Sequence, residues 1–101
     1  MKKVLIVEDD SFLQGLAANK LQKNDFDVTS TGNGEQAMTA LEKEKFDAIL
    51  LDLMLPDMSG FDILKGLKES HKKTPVIVFS NLSEDKDIKK ATDLGAEEYL
   101  V

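Results

Sequence analysis

Cysteine is absent from the chain, histidine and tyrosine occur once each, and proline only twice. Without cysteine there is no disulfide framework and no thiolate metal site, and one histidine cannot build a histidine-rich zinc centre. Oxygen ligands remain. Long apolar runs are missing as well: the longest, such as Val4-Leu5-Ile6-Val7, hold four residues, against the roughly twenty that cross a bilayer. No segment reads as membrane-spanning, and no membrane partner is expected. Lys2 and Lys3 precede an apolar stretch in the manner of a signal peptide, but Glu8-Asp9-Asp10 ends it before an h-region forms. A cytoplasmic location is the expectation. Positive charge is also in deficit, since 19 Asp and Glu against 13 Lys and Arg leave a formal net charge of −6. Such a surface repels a polyanion, so direct nucleic-acid binding by this segment is not expected.

What is present describes one α/β domain over residues 1–101, because 42% hydrophobic and 32% charged residues suit a globular chain and this length holds a single core. Val4–Val7, Ala48–Leu51 and Val76–Phe79 are continuously apolar and mostly branched, as strands covered on both faces of a parallel sheet must be. Phe26–Ser30 alternates apolar with polar like a half-exposed edge strand, and Tyr99-Leu100-Val101 begins another. Between them, Phe12, Leu13, Leu16, Ala17 and Leu21 recur at helical spacing. So do Ala37, Met38 and Leu41, then Phe61, Leu64 and Leu67, then Ile88 and Ala91. Asp10 or Ser11, Asn33 and Ser59 stand where N-caps belong, Ser83 or Asp85 could cap the fourth helix, and Gly95 fits a C′ position. The order β-α-β-α-β-α-β-α-β with right-handed crossovers predicts a doubly wound, flavodoxin-like parallel sheet of five strands in the order 2-1-3-4-5.

Such a sheet needs helices on both faces, and no fifth helix follows Val101. Several hundred Å² of apolar sheet left in water would cost on the order of several kcal/mol. The expectation is therefore a domain incomplete at its C-terminus, or one whose bare face is covered by a partner or a second copy.

Open α/β sheets bind ligands beyond the carboxyl ends of their strands, where strand order reverses, here between the first and third strands. That position selects Glu8, Asp9 and Asp10 after the first strand, Asp52 after the third and Ser80 after the fourth. Carboxylates about 4 Å apart repel by roughly 4 kcal/mol per pair at an effective dielectric near 20. Either some are protonated with raised pKa values, or a divalent cation sits among them. An all-oxygen crevice suits Mg2+, which keeps several waters and binds beside phosphate; Mn2+ would also fit. A carboxylate beside Mg2+ can attack phosphorus to give an aspartyl phosphate. Asp52, projecting alone from a central strand, is the candidate nucleophile, with Glu8 and Asp9 as metal ligands. The competing explanation is that these acids are solvated loop residues near helix N-termini, where negative charge is mildly favoured.

Taken together, Val4-Leu5-Ile6-Val7-Glu8-Asp9-Asp10, Asp52-Leu53-Met54-Leu55-Pro56-Asp57-Met58-Ser59-Gly60, Ser80 and Gly95-Ala96-Glu97-Glu98-Tyr99-Leu100-Val101 resemble a response-regulator receiver domain of two-component signalling. The resemblance runs the length of the chain. It implies a phosphoryl acceptor that catalyses its own phosphorylation and dephosphorylation without being an enzyme with turnover. Asp52 would be phosphorylated by a histidine kinase, a phosphotransfer protein or a small phosphodonor. Glu8, Asp9, Asp52 and the Met54 carbonyl would hold Mg2+. Ser80 would be the switch hydroxyl and Tyr99 would move with it, while Met54 and Leu82 would influence phosphoryl lifetime. An effector domain or protein would read the face running from the fourth strand to the fifth. The family's lysine would come directly after Val101, and its ammonium would add a charge-assisted hydrogen bond worth about 1.5–3 kcal/mol. Phosphorylation by the chain as it stands is expected to be impaired, and metal binding to survive.

Other patterns have simpler readings. Gly32-Asn33-Gly34-Glu35-Gln36-Ala37 matches the dinucleotide fingerprint G-x-G-x-x-A, but a turn capped by Asn33, with Gln36 reaching back, explains it and leaves no need for a nucleotide. An aspartyl-phosphate phosphatase would resemble its relatives in a second acid two residues after the nucleophile, where Met54 stands. A flavodoxin-type phosphate loop is contradicted by the three acids after the first strand. His71, in a polar helix end, reads as a solvated residue. Beside the phosphoacceptor stands one rival of a different class: a signalling-silent α/β fragment that oligomerises or docks through its uncovered sheet face.

Overall fold

The computed structural model describes residues 2–70, 73–80 and 84–100. Readings placed on His71, Leu82, Ser83 and Val101 lie outside the described residues. In chain order the elements are β1 (Lys3–Val7), α1 (Ser11–Lys23), β2 (Asp27–Thr31), α2 (Gly34–Lys43), β3 (Ala48–Asp52), α3 (Gly60–Glu69), β4 (Val76–Phe79), α4 (Asp85–Asp93) and β5 (Glu98–Leu100). Every strand pairing is parallel and the sheet runs β2-β1-β3-β4-β5, the doubly wound order expected. The chain goes outward from β1 to β2 and returns past β1 to β3, so strand order reverses between β1 and β3. Val7 pairs with Leu51 and Leu51 with Val78, which sets the carboxyl ends of the three central strands level.

Alternation of side chains across the strands divides the apolar residues between two faces. Leu5, Val7, Ile49, Leu51, Val76 and Val78 make one buried cluster with residues of α2 (Ala37, Leu41), α3 (Ile63, Leu64, Leu67) and α4 (Ala91). On the other face Val4 and Ile6 are buried where α1 packs over β1 and β2. Beyond α1, Leu50, Ile77, Phe79 and Leu100 border an open apolar trough of about 380 Å³, with Leu13 and Leu16 on its near side.

Helical spacing locates α1, but its apolar stripe is not core. The helix has no buried residue. Phe12 is 71% exposed, and Leu13, Leu16 and Leu100 are each about half exposed. Periodicity reports which face of a helix is apolar, not whether a neighbour covers it.

Capping follows the sequence with one exception. Asp10 accepts from the Phe12 and Leu13 amides, Asn33 from Gln36 and Ser59 from Phe61. Gln36 does reach back, accepting from the Gly32 amide at 2.9 Å. For α4 the N-cap is Glu84, which makes no side-chain cap bond, and Asp85 is already the first helical residue. Gly95 follows the α4 C-cap with φ of 104°, the left-handed region glycine tolerates best.

Gly60, where the loop after β3 enters α3, is a point of close backbone approach. A Cβ there would lie 2.6 Å from the Asp52 carbonyl oxygen and 2.7 Å from Leu53 Cα. Neither is the end of a flexible side chain, so relief requires moving the end of β3. Gly60→Ala is expected to destabilise the chain by about 1–3 kcal/mol. The measurement is the urea midpoint, and a midpoint equal to that of the parent would show that the loop yields freely.

Candidate metal and phosphoacceptor site

The acids selected from the sequence meet at one place. Glu8 and Asp9 leave the end of β1, Asp52 is the last residue of β3, and carboxylate oxygens of all three lie within 4.8 Å of one another. They line an open crevice of about 490 Å³ together with Asp10, Leu13, Met54, Phe79 and Ser80. Asp10 plays a different part, because its Oδ1 is committed to capping α1, at 2.9 Å from the Phe12 nitrogen and 3.1 Å from that of Leu13.

Glu8 is the acid that departs furthest from ordinary behaviour. It is only 3% exposed. Burial is the main cause that raises its carboxyl from 4.5 to about 7; a hydrogen bond and the charge of Asp52, with the charge of Asp9, push the same way, against the opposing bond from the Asp10 amide. That amide donates to Glu8 Oε1 at 3.0 Å. The repulsion anticipated from the sequence thus shows itself as a raised Glu8 carboxyl, with burial as its larger cause.

Several contacts fix this geometry. Gln14, on the first turns of α1, donates through Nε2 to the carbonyls of Glu8 (2.9 Å) and Thr31 (3.0 Å), tying the ends of β1 and β2 to the helix. The buried Thr31 hydroxyl donates to the Ile6 carbonyl at 2.8 Å. Asp52 Oδ1 accepts from the Met54 amide at 3.0 Å, and Met54 forms an isolated antiparallel bridge with Ser59. Gln14 and Thr31 carry no sequence signal of this role; a glutamine on a helix and a threonine ending a strand occur everywhere.

Ser80 is buried at the end of β4 and is hydrogen-bonded to the Tyr99 hydroxyl on β5. Burial raises the Tyr99 phenol, the Ser80 bond opposes this, and the charges of Asp87 and Asp52 add to it. Ser80 therefore lines the crevice on the β4 side, and Tyr99 stands on the neighbouring strand β5.

Comparison with known proteins identifies the family. The family model of the response regulator receiver domain matches residues 4–101. The chain belongs to this family. The cell cycle response regulator CtrA of Brucella ovis is 36% identical over 98 residues, an alignment that covers 97% of the present chain and 42% of CtrA. The chain thus spans less than half the length of the curated relatives it matches. The receiver domain of the Francisella response regulator 1452 superposes with a TM-score of 0.94 at 29% identity, covering 99% of this chain and 83% of that one. The BeF3-activated receiver domain of DrrB, a Thermotoga maritima protein, gives a TM-score of 0.90 at 34% identity, covering 100% of this chain and 84% of that one. As a receiver domain the chain is a signalling module of two-component phosphorelay systems. Among the described residues, no helix is long and apolar enough to cross a membrane.

Proposed function

We propose that this receiver domain takes a phosphoryl group on Asp52 in a Mg2+-dependent reaction and relays it as a conformational switch. The observation that carries the reading is the convergence of Glu8, Asp9 and Asp52 within 4.8 Å at the point where strand order reverses. The donor set fits the ion, since all three side chains offer hard oxygen atoms, and the charges of Asp52 and Asp9 add to the burial that raises Glu8 to about 7. Glu8, Asp9, Asp52 and the Met54 carbonyl would hold Mg2+, or Mn2+ in its place. Bound there, the cation would neutralise charge developing on the phosphoryl oxygens.

The rest belongs to the chain's own residues. Asp52, with Oδ1 held by the Met54 amide, bonds to phosphorus through a carboxylate oxygen as the bond from phosphorus to the donor's leaving atom breaks, and the leaving group departs with that electron pair. Ser80 turns its hydroxyl to the new phosphoryl oxygens and gives up its bond to Tyr99, which is then free to rotate. The neighbouring α4 is suited to respond. Its C-terminal half is fastened to α3 by Lys90 over the Phe61 ring at 4.4 Å and by Lys68 Nζ on the Asp93 carbonyl at 2.9 Å. Its N-terminus has no side-chain cap bond.

In this reading a histidine kinase or phosphotransfer protein supplies the phosphoryl group and an effector domain or protein reads the face from β4 to β5. The setting is the cytoplasm, and no part of this segment touches nucleic acid. The test is incubation with an acyl phosphate and Mg2+, followed by intact-mass analysis. One added phosphoryl group that requires Mg2+ and is lost with a chelator is expected; a chain left unmodified under all conditions, and equally indifferent to beryllofluoride, would overturn the assignment.

The exposed trough along Leu13, Leu16, Leu50, Ile77, Phe79 and Leu100 favours a second activity, self-association through the uncovered sheet face. Sedimentation that stays monomeric across the accessible concentration range would remove it.

A further inference from the structure

Asp57 belongs to no acid cluster and lines no crevice with the triad, yet both its oxygens are occupied. Oδ1 accepts from the Gly34 amide at 2.7 Å and Oδ2 from the Glu35 amide at 2.9 Å. These are the first amides of α2, which no helical carbonyl can satisfy. The helix is therefore capped twice, by Asn33 on the Gln36 amide at 2.8 Å and by a carboxylate from the loop after β3. The two bonds hold the Asp57 carboxyl below its ordinary range. Met58 adds a steric part, because a Cβ on Gly34 would run into its side chain.

The same loop is fixed at its base. The Gly60 amide donates to the Leu53 carbonyl at 2.8 Å, and Met54 bridges Ser59. Met54 thus sits between two anchors, one at Leu53 just past β3 and one on α2, while its amide holds Asp52 Oδ1.

We propose that Asp57 is a positioning residue for the acidic site: by clamping the 52–60 loop to the N-terminus of α2, it keeps the Met54 amide on the Asp52 carboxylate and so sets the metal affinity of the triad. This rests on the metal reading above, and the experiment separates the two. Mn2+ binding is followed by the paramagnetic resonance signal of the free ion, and Met54 amide exchange by NMR, on the full chain. Asp57→Ala is expected to weaken Mn2+ binding about tenfold, the range in which outer-shell partners act. It also speeds Met54 amide exchange in the metal-free protein by about the same factor, as loss of local protection would. Glu35→Pro removes one donor in the first helical turn, where proline is tolerated, and leaves Asp57 in place. It is expected to do the same in part, and it carries the test should Asp57→Ala not fold. Asp62→Asn and Glu35→Gln, which each remove one charge but not the clamp, leave both readouts unchanged.

A parent chain that binds Mn2+ while Asp57→Ala and Glu35→Pro match it in affinity and in Met54 exchange overturns the positioning role alone. The same conclusion follows if Asp62→Asn weakens binding as much as Asp57→Ala, since bulk charge would then be the cause. A parent chain that binds no Mn2+ overturns the metal reading, and Met54 exchange in the metal-free variants still decides for or against the clamp.

Discussion

Asp52→Asn is expected to abolish phosphoryl incorporation from an acyl phosphate and to weaken Mg2+ binding by at least about 10- to 100-fold, the loss that even outer-shell ligand changes reach. The amide cannot supply the anionic oxygen that bonds to phosphorus. It also removes one of the three carboxylates that lie within 4.8 Å of one another. The same change relieves the metal-free protein. Asp52 raises the Glu8 carboxyl both by its hydrogen bond and by its charge, so its neutralisation is expected to stabilise the metal-free fold, by an amount on the order of 1 kcal/mol, less than the roughly 4 kcal/mol of a fully ionised pair because Glu8 is partly protonated near pH 7. Opposite signs in one variant, a higher urea midpoint and a lost metal response, distinguish a functional acid from a structural one. If Asp52→Asn instead lowered the midpoint and bound Mg2+ as the parent does, Asp52 would be an ordinary loop carboxylate and the site would lie elsewhere.

The divided behaviour of these acids explains what the sequence could and could not convey. The strands were legible because runs such as Val4–Val7 and Val76–Phe79 have few other ways to be buried, and the site because strand ends at the reversal point collect whatever follows them. Glu8, Asp9 and Asp10 are consecutive, and nothing in that run says that Glu8 is buried, Asp9 is exposed and Asp10 caps a helix. Those fates depend on backbone direction at the end of β1. Asp57 was hidden for a related reason. Its partners, Gly34 and Glu35, lie more than twenty residues away in the chain, and only the packing of α2 beside α3 brings them together. In the 13 residues of α1 the spacing located the helix but did not say whether its stripe is covered, because burial also requires an opposing surface.

Glu8 links metal, proton and stability in a second large effect. A carboxyl raised from 4.5 to about 7 on folding favours the fold while it is protonated. Its contribution is therefore complete below the unfolded value and is lost as pH rises through the folded one. The displacement corresponds to about 3 kcal/mol at roughly 1.4 kcal/mol per pH unit. In a chelator, the parent is expected to lose stability between about pH 4.5 and pH 7.5 relative to Glu8→Gln, whose amide keeps the Asp10 contact and does not ionise. Mg2+ is expected to reverse the trend. Binding at the proposed site would displace the Glu8 proton, so affinity is expected to rise up to tenfold per pH unit below about pH 7 and level off above it. Taking the difference between parent and variant matters, because Asp57, held below its ordinary range, withdraws stability in both as pH falls further. Urea midpoints across this pH range, with and without Mg2+, give the whole cycle. Parallel profiles for the parent and Glu8→Gln would mean that Glu8 titrates as an ordinary surface acid. Burial and the charges of Asp52 and Asp9 would then not raise it.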